Sequence, residues 1–362
     1  MTLEQAEVRP RPARRLAVID TLFPWKISGF RYWENMHIFG QRPDTLFFAI
    51  HPHHDHFPAE VFHFSKFKEM VVTEGITDVY CVFINLALSL LDRCCLPDGT
   101  WMPGSSPELS IRPIMEEYGL RFHTTLYPGG GLGLEPRIQT EFLRLAADNC
   151  TTVFTNFEEV LRTIPSSQYH PVAIQTGLYA YAPRLLPGPV QITFCAFNFP
   201  RKGFPLLIKA FNMLPEGFHL HIVGDWQDHL HLITNPRYTF HGLLGPESLR
   251  SLYADTHVFV NCSAYDQYAM DGFPTTAAVD AMSSGCLLVT TNPTNDRLVL
   301  RQGIDYIETE PNEERLADIL LWVKEHWEEA AEIAAHGAAT IRERFDAEKI
   351  VRSKLQHMLG DR

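Results

Sequence analysis

The chain has 362 residues, 45% hydrophobic and 20% charged, with a formal net charge of −12. That length and apolar content suit two domains with buried cores, and the acidic balance leaves no basic footprint for nucleic acid. The seven cysteines are scattered without a Cys-x-x-Cys pair, which excludes a zinc ribbon or thioredoxin-like motif and suits reduced thiols in a cytoplasm, and no apolar run reaches the roughly eighteen residues needed to span a bilayer.

In chain order, residues 1–15 are polar, lack an apolar signal core and read as a short disordered lead. Apolar runs at 16–20, 45–50, 78–84, 121–126, 151–155 and 172–176 read as strands. Helical patterns fall between several of them, from Arg31, over 86–93, 108–118 and 136–148. A Pro- and Gly-rich loop covers 94–107, and a glycine turn follows the strand at 121–126. Alternating elements of this kind argue for a parallel sheet with helices on both faces. Residues 181–189, with three prolines across 179–189, read as a linker.

The same rhythm then restarts, with strands at 191–197, 218–223, 238–240, 256–262, 286–291 and 305–308. Helices are expected at 204–214, 246–253 and from Pro274 to just before Gly285, and the tail 313–359 is helical and amphipathic. The domains predicted are therefore 16–180 and 190–345, each Rossmann-like and facing a cleft, with 346–362 as a terminal crossover helix.

The most informative stretch is Asp271-Gly-Phe-Pro-Thr-Thr-Ala-Ala-Val-Asp280-Ala-Met-Ser-Ser-Gly285, set between two strands. Pro near the start and Gly just past the end mark a helix. Its first free amides, at Thr275 and Thr276, with the helix dipole behind them, make an anion site. Asp280 lies four residues after Thr276 on the same face, where a carboxylate suits a ribose hydroxyl pair. A nucleotide-diphosphate pocket is the physical reading. Arg201-Lys202-Gly203, between a strand and a helix start, supplies cations for a diphosphate.

These residues resemble the donor-sugar motif of retaining glycosyltransferases of family 4, which have the GT-B fold. Asp280-Ala-Met-Ser-Ser-Gly285 matches its second half, and Lys202 matches the family lysine. The family usually carries Glu at both acidic places, seven residues apart in the gap; here Asp stands at both, with eight residues between, so the family spacing counted back from Asp280 lands on Gly272. An arginine that the family tends to place at the preceding strand end is missing from Ala196-Phe-Asn198. The resemblance implies a GT-B enzyme that moves a sugar from a nucleotide-diphosphate sugar to a glycan or lipid-linked acceptor, with retention and without a metal or other cofactor. It implies that Asp271, Asp280 and Lys202 carry the chemistry. Arg201, Gly203, Gly224, His241, Gly272, Phe273, Pro274, Thr275 and Thr276 complete the donor site. On the first domain, Ser28, Gly29, His123, Gly129 and Gly130 are expected at the acceptor side of the cleft. A local basic patch docking the enzyme at a membrane surface stays open.

One run points elsewhere. His51-Pro-His53-His-Asp55-His56 spells His-x-His-x-Asp-His and resembles the zinc signature of the metallo-β-lactamase fold. The alternative functions are therefore a metal-dependent hydrolase, or a nucleotide-sugar-binding protein without turnover.

Overall fold

The computed structural model describes residues 14–27, 29–179, 181–266 and 271–360. Ser28 and nearly all of the expected lead lie outside the described residues.

The first unit runs β1 (Leu16–Phe23), α1 (Gly29–Gln41), β2 (Leu46–Pro52), β3 (Val61–His63), α2 (Phe67–Glu74), β4 (Asp78–Val82), α3 (Ile84–Leu90), α4 (Arg112–Tyr118), β5 (Arg121–Leu126), α5 (Pro136–Asn149), β6 (Thr152–Thr155), α6 (Glu158–Thr163) and β7 (Gln168–Tyr169). Its strands form a parallel sheet in the order β3-β2-β1-β4-β5-β6-β7. The cause is visible in β1. Leu16 and Val18 enter one apolar cluster while Ala17 and Ile19 enter another on the opposite face. A strand buried on both sides reads as a continuous apolar run, and a parallel sheet covered by helices accommodates it. α2 and α4 stop at Gly75 and Gly119, whose left-handed φ of 66° and 64° favours a residue without Cβ.

The second unit runs β8 (Val190–Cys195), α7 (Phe204–Met213), β9 (Phe218–Val223), β10 (Tyr238–Gly242), α8 (Pro246–Asp255), β11 (Val258–Asn261), α9 (Thr276–Ser283), β12 (Leu287–Thr290), β13 (Ile307–Glu308), α10 (Glu313–Glu325), α11 (Trp327–Arg344) and α12 (Ala347–Leu359). Its parallel sheet is ordered β10-β9-β8-β11-β12-β13. Val190, Ile192 and Phe194 pack with Val258, Val260, Leu287 and Val289 beneath α7 and α10, and Phe259 and Leu288 face the other side. This is an α/β fold of two doubly wound domains.

The tail forms three helices. α10 is capped by Asn312, whose side chain accepts from the Arg315 amide, and α12 by Asp346, which accepts from Lys349. α12 returns to the first domain and packs on α1. Residues 172–176, expected as a strand, do not join the sheet. They follow β7 and meet the α11–α12 corner instead, where the Ile174 amide donates to Phe345 O, the Ala347 amide donates to Ile174 O, and Thr176 Oγ1 donates to Asp346.

α12 brings a charge into the first domain. Lys354 is 1% exposed, and its Nζ donates to Glu34 Oε1 (3.0 Å), Tyr80 OH (3.1 Å), Thr125 Oγ1 (3.0 Å) and Tyr127 OH (3.1 Å). Arg31 pairs with both Asp20 and Glu34 beside it. A buried ammonium is tolerated because it is fully paired.

Candidate functional site

In the second sheet β8 and β11 are neighbours, but the chain leaves them in opposite directions. The crevice at their carboxyl ends is a topological switch point, where open α/β sheets bind ligands. Two stretches meet there, 196–203 after β8 and, after β11, the described residues 262–266 and 271–275. Gly203 has φ +69°, and a Cβ on it would fall 1.9 Å from Cys262 O. Glycine is thus required by both conformation and contact. The Ala264 amide donates to Arg201 O at 2.7 Å, so the main chains of the two loops are joined.

This joining places Asp271 beside the cations. Lys202 Nζ lies 2.6 Å from Asp271 Oδ1 and Arg201 Nε 3.3 Å from the same oxygen, while Ser263 Oγ donates to Oδ2 at 2.7 Å. Burial pushes the Asp271 carboxyl up, but Lys202, Ser263 and Arg201 outweigh it and hold the group below its ordinary value. The Arg201 guanidinium also lies 4.7 Å from the centroid of the Phe199 ring.

The helix after this loop starts two residues beyond the expected Pro274. Pro274 lies in the loop, Thr275 is the N-cap and accepts from the Ala278 amide, and α9 begins at Thr276. The N-terminus of α9 carries the partial positive charge of its dipole. Asp280 follows one turn later, as the spacing predicts. Burial pushes its carboxyl up to about 7, with only a hydrogen bond from Tyr179 and the charge of Arg250 acting against that. A carboxylate desolvated with so little compensation suits additional hydroxyl donors.

The rest of the expected donor set lines the same end of the sheet. Gly224 follows β9; a Cβ there would fall 2.0 Å from Ala196 O, and its amide donates to Gly242 O. His241 lies in β10, where its Nε2 pairs with His221 Nδ1 at 3.0 Å and burial lowers its pKa. Gly272 sits against the first domain, since a Cβ on it would be 3.4 Å from Pro128 Cγ, and the Phe273 ring packs on Tyr306 at 5.2 Å between centroids.

In the first domain Gly29 opens α1. Gly129 and Gly130 have φ of 100° and 57° in the turn after β5, and a Cβ on Gly130 would fall 2.4 Å from Phe83 Cβ. His123 is placed otherwise than expected. It is fully buried in β5, with its Nε2 2.9 Å from Asp78 Oδ1 near the amino ends of the strands, where Arg14 and Arg121 also reach Asp78. It is a core histidine remote from the cleft. Its strand position misled because β5 alternates faces along six residues and only its carboxyl end reaches the cleft.

The histidine run 51–56 is used for local turns. Asp55 accepts from the Lys26 amide at 2.7 Å, His53 Nδ1 accepts from the Asp55 amide, and His56 O accepts from Tyr32 OH. Among the described residues no three His, Cys, Asp or Glu side chains are grouped to hold a metal ion, so the metal-hydrolase alternative finds no ligand cluster here.

Two participants escaped the sequence reading. Ser263, just past β11, orients Asp271. Tyr179, inside the proline-rich connection, reaches Asp280. No spacing rule links either to its partner; the short polar residue following an apolar strand is the only signal Ser263 offers.

Residues 188–326 match the family model described as Glycosyl transferases group 1. No curated protein matches the sequence. Among solved structures, the chain is similar to Anabaena HepE in complex with UDP and glucose, at 17% identity and a TM-score of 0.69, over 95% of this chain and 99% of that one. It is similar to the sucrose-phosphate synthase of Thermosynechococcus elongatus, at 13% identity and a TM-score of 0.72, over 95% and 98%. A glycosyltransferase from Rickettsia africae gives 13% identity and a TM-score of 0.68, over 97% and 100%. At these identities the likeness establishes the fold.

Proposed function

We propose that the protein is a glycosyltransferase of the GT-B fold whose second domain carries the group 1 module, and that it transfers a sugar from a nucleoside diphosphate to a hydroxyl acceptor with retention at the anomeric carbon. The observation that carries this reading is the convergence at the β8/β11 switch point of Lys202, Arg201, the α9 N-terminus and the desolvated Asp280.

Lys202, Arg201 and the first amides of α9 neutralise the diphosphate as the bond to the sugar breaks, in the position a divalent cation would otherwise take. Asp280 accepts from the ribose hydroxyls. Asp271 turns from the cations to the ring hydroxyls of the sugar, aided by the Gly272-Phe273 backbone. The acceptor oxygen bonds to the anomeric carbon on the leaving-group side, the bond from that carbon to the phosphate oxygen breaks, and the acceptor proton passes to the departing phosphate. Gly29 and the Gly129-Gly130 turn face this centre from the first domain, and closure of the two domains excludes water that would hydrolyse the donor.

HepE is described in complex with UDP-glucose, which makes UDP-sugars the first donors to test. The test is release of nucleoside diphosphate from a panel of nucleotide sugars with glycan acceptors, with the product anomer read by proton NMR. The reading expects one donor to turn over and its anomeric configuration to be kept. Donor binding without release over a broad acceptor panel would favour the non-catalytic alternative instead.

A further inference from the structure

Two cavities lie beside the donor crevice. The first, about 550 Å³, begins at Ser263, the residue that donates to Asp271, and runs over Tyr265 to Asn292, Gln302, Glu308 and Glu310 at the ends of β12 and β13. The second, about 240 Å³, shares Tyr265 and Pro293 with it and crosses to the first domain, where Gln139, Glu158, Glu159 and Arg162 meet Asp296. Together they form a track from the reacting end of the donor site to the junction of the domains. The narrower cavity lies below the drug-sized range of roughly 300–1,000 Å³ and suits one small polar unit.

The lining has a definite chemistry. Tyr265 is 64% exposed and stands at the point shared by both cavities, a large apolar face with a polar tip. Five carboxylates line the track, Glu158, Glu159, Asp296, Glu308 and Glu310, against one guanidinium, Arg162. Glu308 is met by Arg297 at 2.7 Å. Glu158 and Asp296 come from different domains, and their like charges act on each other: burial first, then Glu158, raises the Asp296 carboxyl. Closing the domains on this pair is unfavourable unless something that donates hydrogen bonds or carries positive charge sits between them.

We propose that this track is the acceptor site and that it takes a neutral or amine-bearing saccharide, with a sugar ring on Tyr265 and hydroxyl or amino groups between Glu158 and Asp296, and that it rejects anionic acceptors such as uronate chains or phosphorylated glycans. The inference rests on the glycosyltransferase reading and specifies its acceptor. With Glu308 paired to Arg297, the other four carboxylates face only Arg162, and this excess of negative charge selects against an anionic chain by repulsion and by the cost of desolvating it.

The test titrates the full chain, in the presence of UDP at neutral pH, with three probes of similar length: cello-oligosaccharide (neutral), chitosan oligosaccharide (amine-bearing) and oligogalacturonate (anionic). The expected result is binding of the first or second and none of the third. Tyr265→Ala should weaken the bound probe at least tenfold, and the charge reversal Glu158→Lys with Glu159→Lys should reduce chitosan binding and admit oligogalacturonate. Tyr265 and Glu158 are exposed and Glu159 is half-buried, and unchanged melting temperatures would show that the variants fold. Preferential binding of oligogalacturonate by the unaltered protein, no binding of any probe, or affinities indifferent to these substitutions would overturn the proposal. UDP affinity measured on the same samples separates the two readings, since it depends on Lys202 and not on Tyr265 or Glu158.

Discussion

Lys202 Nζ stands 2.6 Å from Asp271 Oδ1, so the cation assigned to the diphosphate is held by the protein's own carboxylate. Arg201 and Ser263 complete the grip. A diphosphate must therefore compete with Asp271 for the same charges. Asp271→Asn removes the competitor while keeping the side chain's size. UDP, which has no sugar, should bind this variant about three- to tenfold more tightly, because a charge-assisted contact no longer has to be exchanged. Transfer should fall, since the sugar loses its carboxylate partner. Calorimetric titration with UDP and with the UDP-sugar separates the two effects; UDP binding unchanged or weakened would show that Asp271 only orients the lysine.

Asp280 gives a pH dependence. Its carboxyl is pushed up to about 7 in the folded protein by burial, against an ordinary value of about 3.9. The folded state then binds the extra proton, so this group makes stability fall as pH rises from about 4 to about 7 and level off above. Ribose hydroxyls prefer the ionised form, so affinity for an intact nucleotide sugar should rise through that same upper range. Asp280→Asn should bind the donor more weakly at pH 8 and with a flatter pH profile, read by titrating at pH 6, 7 and 8.

Gly203 tests the joint between the two loops. Alanine there meets Cys262 O at 1.9 Å and must hold φ near +69°. The clash and the backbone strain together should cost about 2–4 kcal/mol. Thermal melts of Gly203→Ala should show a clear drop, whereas Gly29→Ala, whose Cβ would meet nothing within 4 Å, should melt like the unaltered chain.

Lys354 tests the crossover helix. Replacing it with Met leaves Glu34 buried with only part of its compensation, from Arg31 and Tyr80. Breaking such a pair costs about 3–5 kcal/mol. Hydrogen exchange should show α12 and α1 losing protection together. Adding Glu34→Gln to Lys354→Met should return part of the loss, because the orphaned charge is gone.

The sequence revealed the architecture because parallel strands buried on both faces leave continuous apolar runs, as at 16–19 and 286–289. It placed Lys202 in the turn before α7, and the α9 start to within two residues, because a turn and a helix cap are local. β3 and β7 escaped it: three and two residues at sheet edges make no pattern. The Lys354 network also escaped, since its partners lie up to 320 residues away. A trace of it is nonetheless present: Ile350, Val351, Lys354, Leu355 and Met358 share the buried stripe of α12, and a lysine on that stripe asks for a carboxylate. Asp271 and Gly272 were readable as an altered motif, but the hold on the cations depends on how two loops meet, which spacing within one loop does not encode.

The most direct measurement is calorimetric titration of UDP, and of the UDP-sugar that turns over, into the unaltered chain and Lys202→Ala. Loss of one charge-assisted contact of about 1.5–3 kcal/mol should weaken both ligands about ten- to a hundredfold in the variant while its melting temperature stays close to that of the parent. Equal affinity in the two proteins would contradict the assignment of the diphosphate to the β8/β11 crevice.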